Sequence, residues 1–189
     1  MNNIQEYQEA AVRTFESKGY ELDIAAMTLG VAGEVGEFVE LLNEDSSLGD
    51  INKEAGDVLW YLATLSHIVP GLSLESVLQA NTFDEIEEWI CRKLPFDIPN
   101  IPGVLSGTVR ELNCDTAKLC DMVKKHVHQG HGLDMYELEE AMRGVFITLA
   151  YSCIFYGLSL KDISQKNIDK LMKRYPNGFS PEASINRTC

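Results

Sequence analysis

Cationic residues are scarce in this chain. Its 189 residues carry 16 Lys and Arg against 29 Asp and Glu, a net charge of -13 with neutral histidine. Such a balance excludes a general nucleic-acid binder or a partner of anionic membranes, whose affinity rests on clustered cations. It leaves room for a small polyanion carried with a divalent metal, because the metal inverts the local electrostatics. Cysteine is sparse and unpatterned: Cys91, Cys114, Cys120, Cys153 and Cys189 form no Cys-x-x-Cys, so neither a disulfide framework nor a zinc site is indicated. Strand signals are nearly absent. No apolar run is long and clean enough for a membrane span: Val58–Leu74 and Gly144–Leu160 are uncharged over 17 residues, yet both are broken by Ser, Thr, Tyr, His or Cys. The opening MNNIQEYQEAAVRTF has no apolar signal core. Together these absences indicate a reducing cytoplasmic setting.

What is present is helical periodicity almost throughout, with 45% hydrophobic residues to supply a core. The spacing predicts helices over 3–18, 23–45, 50–69, 73–93, 107–129, 134–157 and 159–174. Asp50, Ser73 and Ser159 are the expected N-caps, Asp134 and Glu137 resemble a capping box, and Gly19, Gly71 and Gly157 are stops. The stretch Pro95–Pro102 reads as a non-helical linker. The expected class is all-α, an antiparallel bundle.

The two uncharged runs are alike in sequence. With an offset of 86, residues 58–81 fall over 144–167, matching Ser66 with Ser152, Gly71-Leu-Ser-Leu with Gly157-Leu-Ser-Leu, Gln79 with Gln165 and Asn81 with Asn167. Upstream, an offset of 81 lays Phe38–Leu42 over Leu119–Val123 and Glu34 over Asp115. An internal duplication follows, with residues 1–94 as the first half, 95–105 as linker and 106–189 as the second. A single domain with an inserted segment is the competing account.

Two acidic pairs carry the chemistry. Glu34-Val-Gly-Glu37 and Glu54-Ala-Gly-Asp57 each place carboxylates three residues apart, ~60° around a helix and roughly 4.5 Å along it. Each pair shares its arc with apolar residues: Met27, Gly30, Val31, Phe38 and Leu41 around Glu34, and Ile51, Val58, Tyr61 and Leu65 around Glu54. A short loop joins the two helices, so their apolar faces should meet and bring four carboxylates together. At 4 Å each like-charge pair costs on the order of 4 kcal/mol even at an effective dielectric near 20. A hard divalent cation relieves that cost, and all-oxygen ligation suits Mg²⁺ or Mn²⁺. Gly30, Gly33 and Gly36 fit a close helix approach there. A di-iron bundle would need Glu-x-x-His, and none of the four histidines has Glu three residues before it. The HVHQGH cluster (126–131) has no acids at zinc spacing, and Cys114 and Cys120 read as small core residues.

The segments LGVAGEVGEFVELL, INKEAGDVLWYLATLS and GLSLKDISQKNIDKLMKRYPNGFSPEASINR closely resemble the MazG-like nucleoside triphosphate pyrophosphohydrolases, relatives of the dimeric dUTPases, and the small phage-type members most of all. The family's ExxE…ExxD pattern falls on Glu34, Glu37, Glu54 and Asp57, with 16 residues between the pairs. The resemblance implies Mg-dependent hydrolysis of a (deoxy)nucleoside triphosphate to monophosphate and pyrophosphate, by attack of a metal-activated water at the α-phosphorus. It makes those four acids metal ligands, with Glu34 or Glu37 also taking the water's proton. Asn167, Lys170 and Arg174 fall on the family's phosphate-proximal element. Lys53 is a further phosphate contact, Tyr61 meets sugar or base, Trp60 is core, and Gln5 and Gln8 are candidates to read the base edge. The first Gly-Leu-Ser-Leu departs from the pattern, with Asp84 where Lys is expected; in the second half Lys118 and Arg143 replace Glu37 and Asp57. The halves therefore divide labour, metal site in the first and basic element in the second. The chain is expected to act as a monomeric pseudo-dimer or a homodimer, in the host cytoplasm if phage-encoded. A non-catalytic Mg-nucleotide sensor and a structural helical module are the alternatives.

Overall fold

The computed structural model describes residues 1–43, 46–93, 101–180 and 182. Among them are eight helices and no named strand: α1 (Ile4–Val12), α2 (Tyr20–Asn43), α3 (Leu48–Ile68), α4 (Leu74–Leu78), α5 (Phe83–Lys93), α6 (Ile101–Gln129), α7 (Met135–Phe155) and α8 (Leu160–Arg174). The two uncharged runs account for the centre. They lie largely in α3 and α7, which pack against each other and bury Val58, Leu62 and Leu65 on one side and Val145, Phe146 and Leu149 on the other. No single helix among the described residues is long and apolar enough to cross a membrane. Helix α2 lies along α3, α6 lies along α7, and α2 also touches α6. The helix after each Gly-Leu-Ser-Leu crosses over: α4 packs on α7, and α8 packs on α3. That crossing brings the last helix of the chain to the acids of the first half. Gly71 and Gly157 make it possible, each turning the chain at a positive φ (86° and 73°) that a side chain would resist.

Four boundaries depart from the sequence reading, each for a local reason. The first helix ends at Val12 and not near residue 18, because Asp23 in the next helix takes the loop: its carboxylate accepts from Ser17 Oγ at 2.5 Å and Lys18 N at 2.8 Å. Ser47, and not Asp50, caps α3, accepting from Asp50 N at 3.2 Å. The helix expected over 73–93 is two. Gln79 is left-handed (φ 53°), and Glu85 accepts from Asn81 N at 2.8 Å while Thr82 Oγ1 accepts from Glu85 N at 3.3 Å, so Thr82-x-x-Glu85 starts a new helix. Finally, α6 begins at Ile101, which places Pro102 in the first turn, where its missing N–H costs no hydrogen bond. The expected linker therefore ends earlier than 105, and its residues 95–100 lie outside the described residues. The cap expectations hold for Ser73, which forms a reciprocal box with Ser76, and for Asp134, which accepts from Glu137 N at 3.0 Å.

Ser159 occupies the N-cap position of α8 without capping it. Glu87 of α5 does that work, accepting from Leu160 N and from Ser159 Oγ (3.0 Å) and favouring the positive end of the helix dipole. Replacing Glu87 with Ala is expected to lower unfolding free energy by about 1–2 kcal/mol in urea titrations. A shift below a few tenths would show that this contact does not hold α8 in place.

Candidate metal centre

Glu34 on α2 and Glu54 and Asp57 on α3 converge: one carboxylate oxygen from each lies within 4.8 Å of the others. Their helices are joined by a short loop and packed face to face, which turns these three acids toward one another. Glu54 is buried at 6% exposure, and Glu34 and Asp57 are half-buried. Glu37, the fourth expected member, is exposed and outside this group, though near enough for its charge to act on Glu34 and Lys53. Of the three glycines expected to allow close approach, only Gly30 does so, and against a side chain: the Tyr61 ring occupies the place of its missing Cβ. Gly33 and Gly36 face open space.

Cations and amides compensate the cluster. Lys170 of α8 pairs with Asp57, and Lys53 donates to Glu54 Oε1 at 2.8 Å. Asn167 is buried and gives its Nδ2 to Asp57 Oδ1 at 3.2 Å while its Oδ1 accepts from Tyr7 Oη at 2.9 Å. Burial, and then the charge of Asp57, hold the Tyr7 hydroxyl well above its ordinary pKa, so it stays a donor and fixes which way the Asn167 amide faces. Gly56 leaves the room: a Cβ there would lie 3.0 Å from Asn167 Cβ. Neither Tyr7 nor Gly56 was singled out from the sequence, where each reads as an ordinary residue of an apolar helix face.

One charge stays uncompensated. Burial, then Asp57, then a shared hydrogen bond with Glu54 push the Glu34 carboxyl up to about 7. Three crowded oxygens, one of them protonated for want of a counter-charge, fit a hard divalent cation of the Mg²⁺ or Mn²⁺ kind. Among the described residues, the second half offers no such set. Asp115 pairs with Lys118 at 2.7 Å, and Glu140 pairs with Arg143. A larger cavity beside them, about 700 Å³ between α6 and α7, has three of its acids paired with cations, Asp115, Glu140 and, through Lys125, Asp121.

Beside the carboxylates opens a cleft of about 140 Å³ lined by Thr14, Trp60, Tyr61, Lys170, Arg174 and Tyr175, with Phe179 at its edge. Trp60 is therefore not simply core, although its Nε1 is tied to Ala11 O (3.1 Å) and Thr14 Oγ1 (3.0 Å). Tyr175 and Phe179 stack at 5.7 Å and form the far wall. Gln5 and Gln8 are not there. Gln5 donates to Glu9, and buried Gln8 spends its amide on Ala63 O, Ser66 Oγ and the α4 amide of Leu74. Among the expected core cysteines, Cys114 is exposed and Cys120 half-buried.

Residues 23–89 match the family model of the MazG nucleotide pyrophosphohydrolase domain. This segment is similar to a MazG domain. It holds all four acids of the pattern and ends well before Asn167, Lys170 and Arg174. No curated protein and no solved structure matches the chain.

Two consequences can be measured. Because Glu34 titrates near 7 when folded and near its ordinary 4.5 when unfolded, the metal-free folded chain holds a proton that the unfolded chain releases between those values. The contribution of Glu34 to stability is then fully present below pH 4.5 and is lost as pH rises through about 7, by about 1–2 kcal/mol after allowance for its partial exposure. Urea midpoints across that window should show the loss in the native chain and a flatter profile in Glu34→Gln; parallel profiles would refute it. Second, Gly56→Ala should destabilise by about 1–2 kcal/mol despite the better helix propensity of Ala, since Asn167 is held from both sides and cannot yield. A raised midpoint would mean that Asn167 is not so held.

Proposed function

We propose that the chain hydrolyses (deoxy)nucleoside triphosphates to the monophosphate and pyrophosphate with Mg²⁺, Mn²⁺ being a substitute. The observation that carries this reading is the carboxylate trio, held within the segment that matches the MazG family model, facing a cation-walled, aromatic cleft completed by α8. When bound, a divalent cation supplies charge neutralisation between carboxylates and phosphate oxygens and lowers the pKa of water.

The rest is the work of the chain. Glu54 and Asp57 are the fixed ligands, oriented by Lys53 and Asn167. Glu34, which lines the cleft as well as the carboxylate cluster, serves as ligand and as the group that takes the proton from the attacking water. Glu37, one turn on and exposed, is an outer ligand. Lys170 and Arg174, one turn apart on α8, receive the charge of the leaving pyrophosphate. Asn167 is too buried for that task and acts instead as a positioning residue for Asp57. Tyr61 and Trp60 on one side and Tyr175 and Phe179 on the other take the base by stacking. The acids come from α2 and α3 and the cations from α8, which supports the division of labour between halves and a site complete within one chain, a monomeric pseudo-dimer. Cys91, Cys114, Cys120 and Cys153 are free, in keeping with a reducing compartment.

The test is product analysis over the eight common triphosphates with Mg²⁺ or Mn²⁺. Monophosphate and pyrophosphate are expected, with kcat/KM lowered on the order of 100-fold or more in Glu34→Gln, Glu54→Gln and Asp57→Asn, and by less than about tenfold in Glu37→Gln. Triphosphates bound but recovered intact would make the chain a sensor. Absence of both turnover and thermal stabilisation by Mg-nucleotide would make it a structural module.

A further inference from the structure

We propose that a second pocket, between the α4–α5 turn and α7, binds a nucleoside monophosphate without a metal. It has about 330 Å³ and is lined by Gln79, Ile86, Trp89, Arg92, Arg143 and Ile147 among others. Its place in the fold is the reason to look there. In the register of 86 that relates the halves, Arg143 stands where Asp57 stands and Ile147 where Tyr61 stands. The pocket is thus the counterpart of the carboxylate cleft, with its anionic ligand replaced by a cation.

Its chemistry is that of an anion carrying a flat ring. Arg143, with only 17% of its side chain exposed, is held rigidly: Nε donates to Val77 O at 2.6 Å, and Gln79, in the amide orientation its neighbours dictate, accepts from Nη2 at 2.8 Å. Its remaining partner is Glu140, whose side chain is 46% exposed and free to give way. Arg92, whose Nε donates to Glu88 O at 3.1 Å and whose Nη2 lies 3.8 Å from the exposed Glu88 carboxylate, adds a second guanidinium at the rim, and Lys93 Nζ lies 6.0 Å from the Trp89 ring centroid. The acid lining the pocket, Glu85, has its carboxylate engaged by the backbone amides of Asn81 and Thr82. Trp89 is 45% exposed, braced edge-on by Tyr151 at 6.5 Å, and offers a face beside an apolar floor of Ile86 and Ile147. Guanidinium groups grip a phosphate, and an indole face adds stacking that tolerates any base. No carboxylate cluster is present among the lining residues, so no divalent cation is called for.

Calorimetry of the full chain in EDTA, with AMP and TMP as probes, tests this without reference to turnover. Both should bind, with affinity reduced at least tenfold in Trp89→Ala and in Arg92→Ala, two exposed positions that leave the core intact. Adenosine and inorganic phosphate should each bind at least tenfold more weakly than AMP. Arg174→Ala, in the carboxylate cleft, should leave the affinity unchanged. The proposal is overturned by the absence of binding at millimolar AMP, by inorganic phosphate binding as tightly as AMP, or by loss in Arg174→Ala with retention in Trp89→Ala. The last result would place the monophosphate in the cleft. Failure of this test leaves triphosphate hydrolysis standing, and failure of hydrolysis leaves this pocket standing, since the readouts share no step.

Discussion

The packing of α2 on α3 forces like charges together, and the surrounding structure is arranged around that conflict. Three carboxylate oxygens within 4.8 Å are an unfavourable thing to bury. The chain answers from three sides: Lys170 arrives from α8, Lys53 from the same helix, and a proton stays on Glu34 toward neutral pH. None of these fully replaces a divalent cation, and that shortfall makes the site chemically expectant. Strain of this kind persists only where the rest of the fold over-determines it. Here the over-determination is visible in the Tyr7–Asn167–Asp57 relay and in the glycine that makes room for it.

How much of this the sequence carried depends on the range of the interaction. The acid pairs were legible because their spacing and their apolar neighbours are local facts, and a short loop leaves two helices one way to pack. Glu37 shows where the arc argument ends. It lies only 60° from Glu34 on an ideal helix, yet the buried arc closes between them and leaves Glu37 in water. Gln8 shows a second limit. A polar residue on an inward helix face can serve a ligand or the backbone, and only the arrival of the α4 amide of Leu74 decides for the backbone. The early end of α1 likewise depends on Asp23, whose capture of the preceding loop leaves no periodic trace.

The two Gly-Leu-Ser-Leu segments lead into different helices, and the difference decides which acids meet α8. After Gly157 the helix runs straight for fifteen residues, so Asn167 and Lys170 reach Asp57. After Gly71 it stops at a left-handed Gln79 within five. The residues in register with Asn167 and Lys170 are then diverted: Asn81 O accepts from Ile4 N, and Asp84 pairs with Asn2 at 2.8 Å. That break frees Gln79 and the carbonyl of Val77 to meet Arg143. A helix break and a reversal of charge thus belong together. Without the break, α4 would continue over α7 and leave an arginine facing a helix with no acceptor to offer.

The same reasoning places the cations of an acidic protein. With a net charge of -13, a polyanion is repelled from most of the surface, and approach is favourable only where positive groups are gathered. Lys170 and Arg174 gather on α8 beside the acids, and Arg92, Lys93 and Arg143 gather around Trp89 where α5 meets α7. The first group sits beside carboxylates crowded within 4.8 Å of one another, while the second sits beside acids already paired with a cation or a backbone amide. An anion therefore meets two different electrostatic settings on one fold. The difference follows from what stands at two helix positions 86 residues apart, Asp57 in α3 and Arg143 in α7, and from the helix break at Gln79.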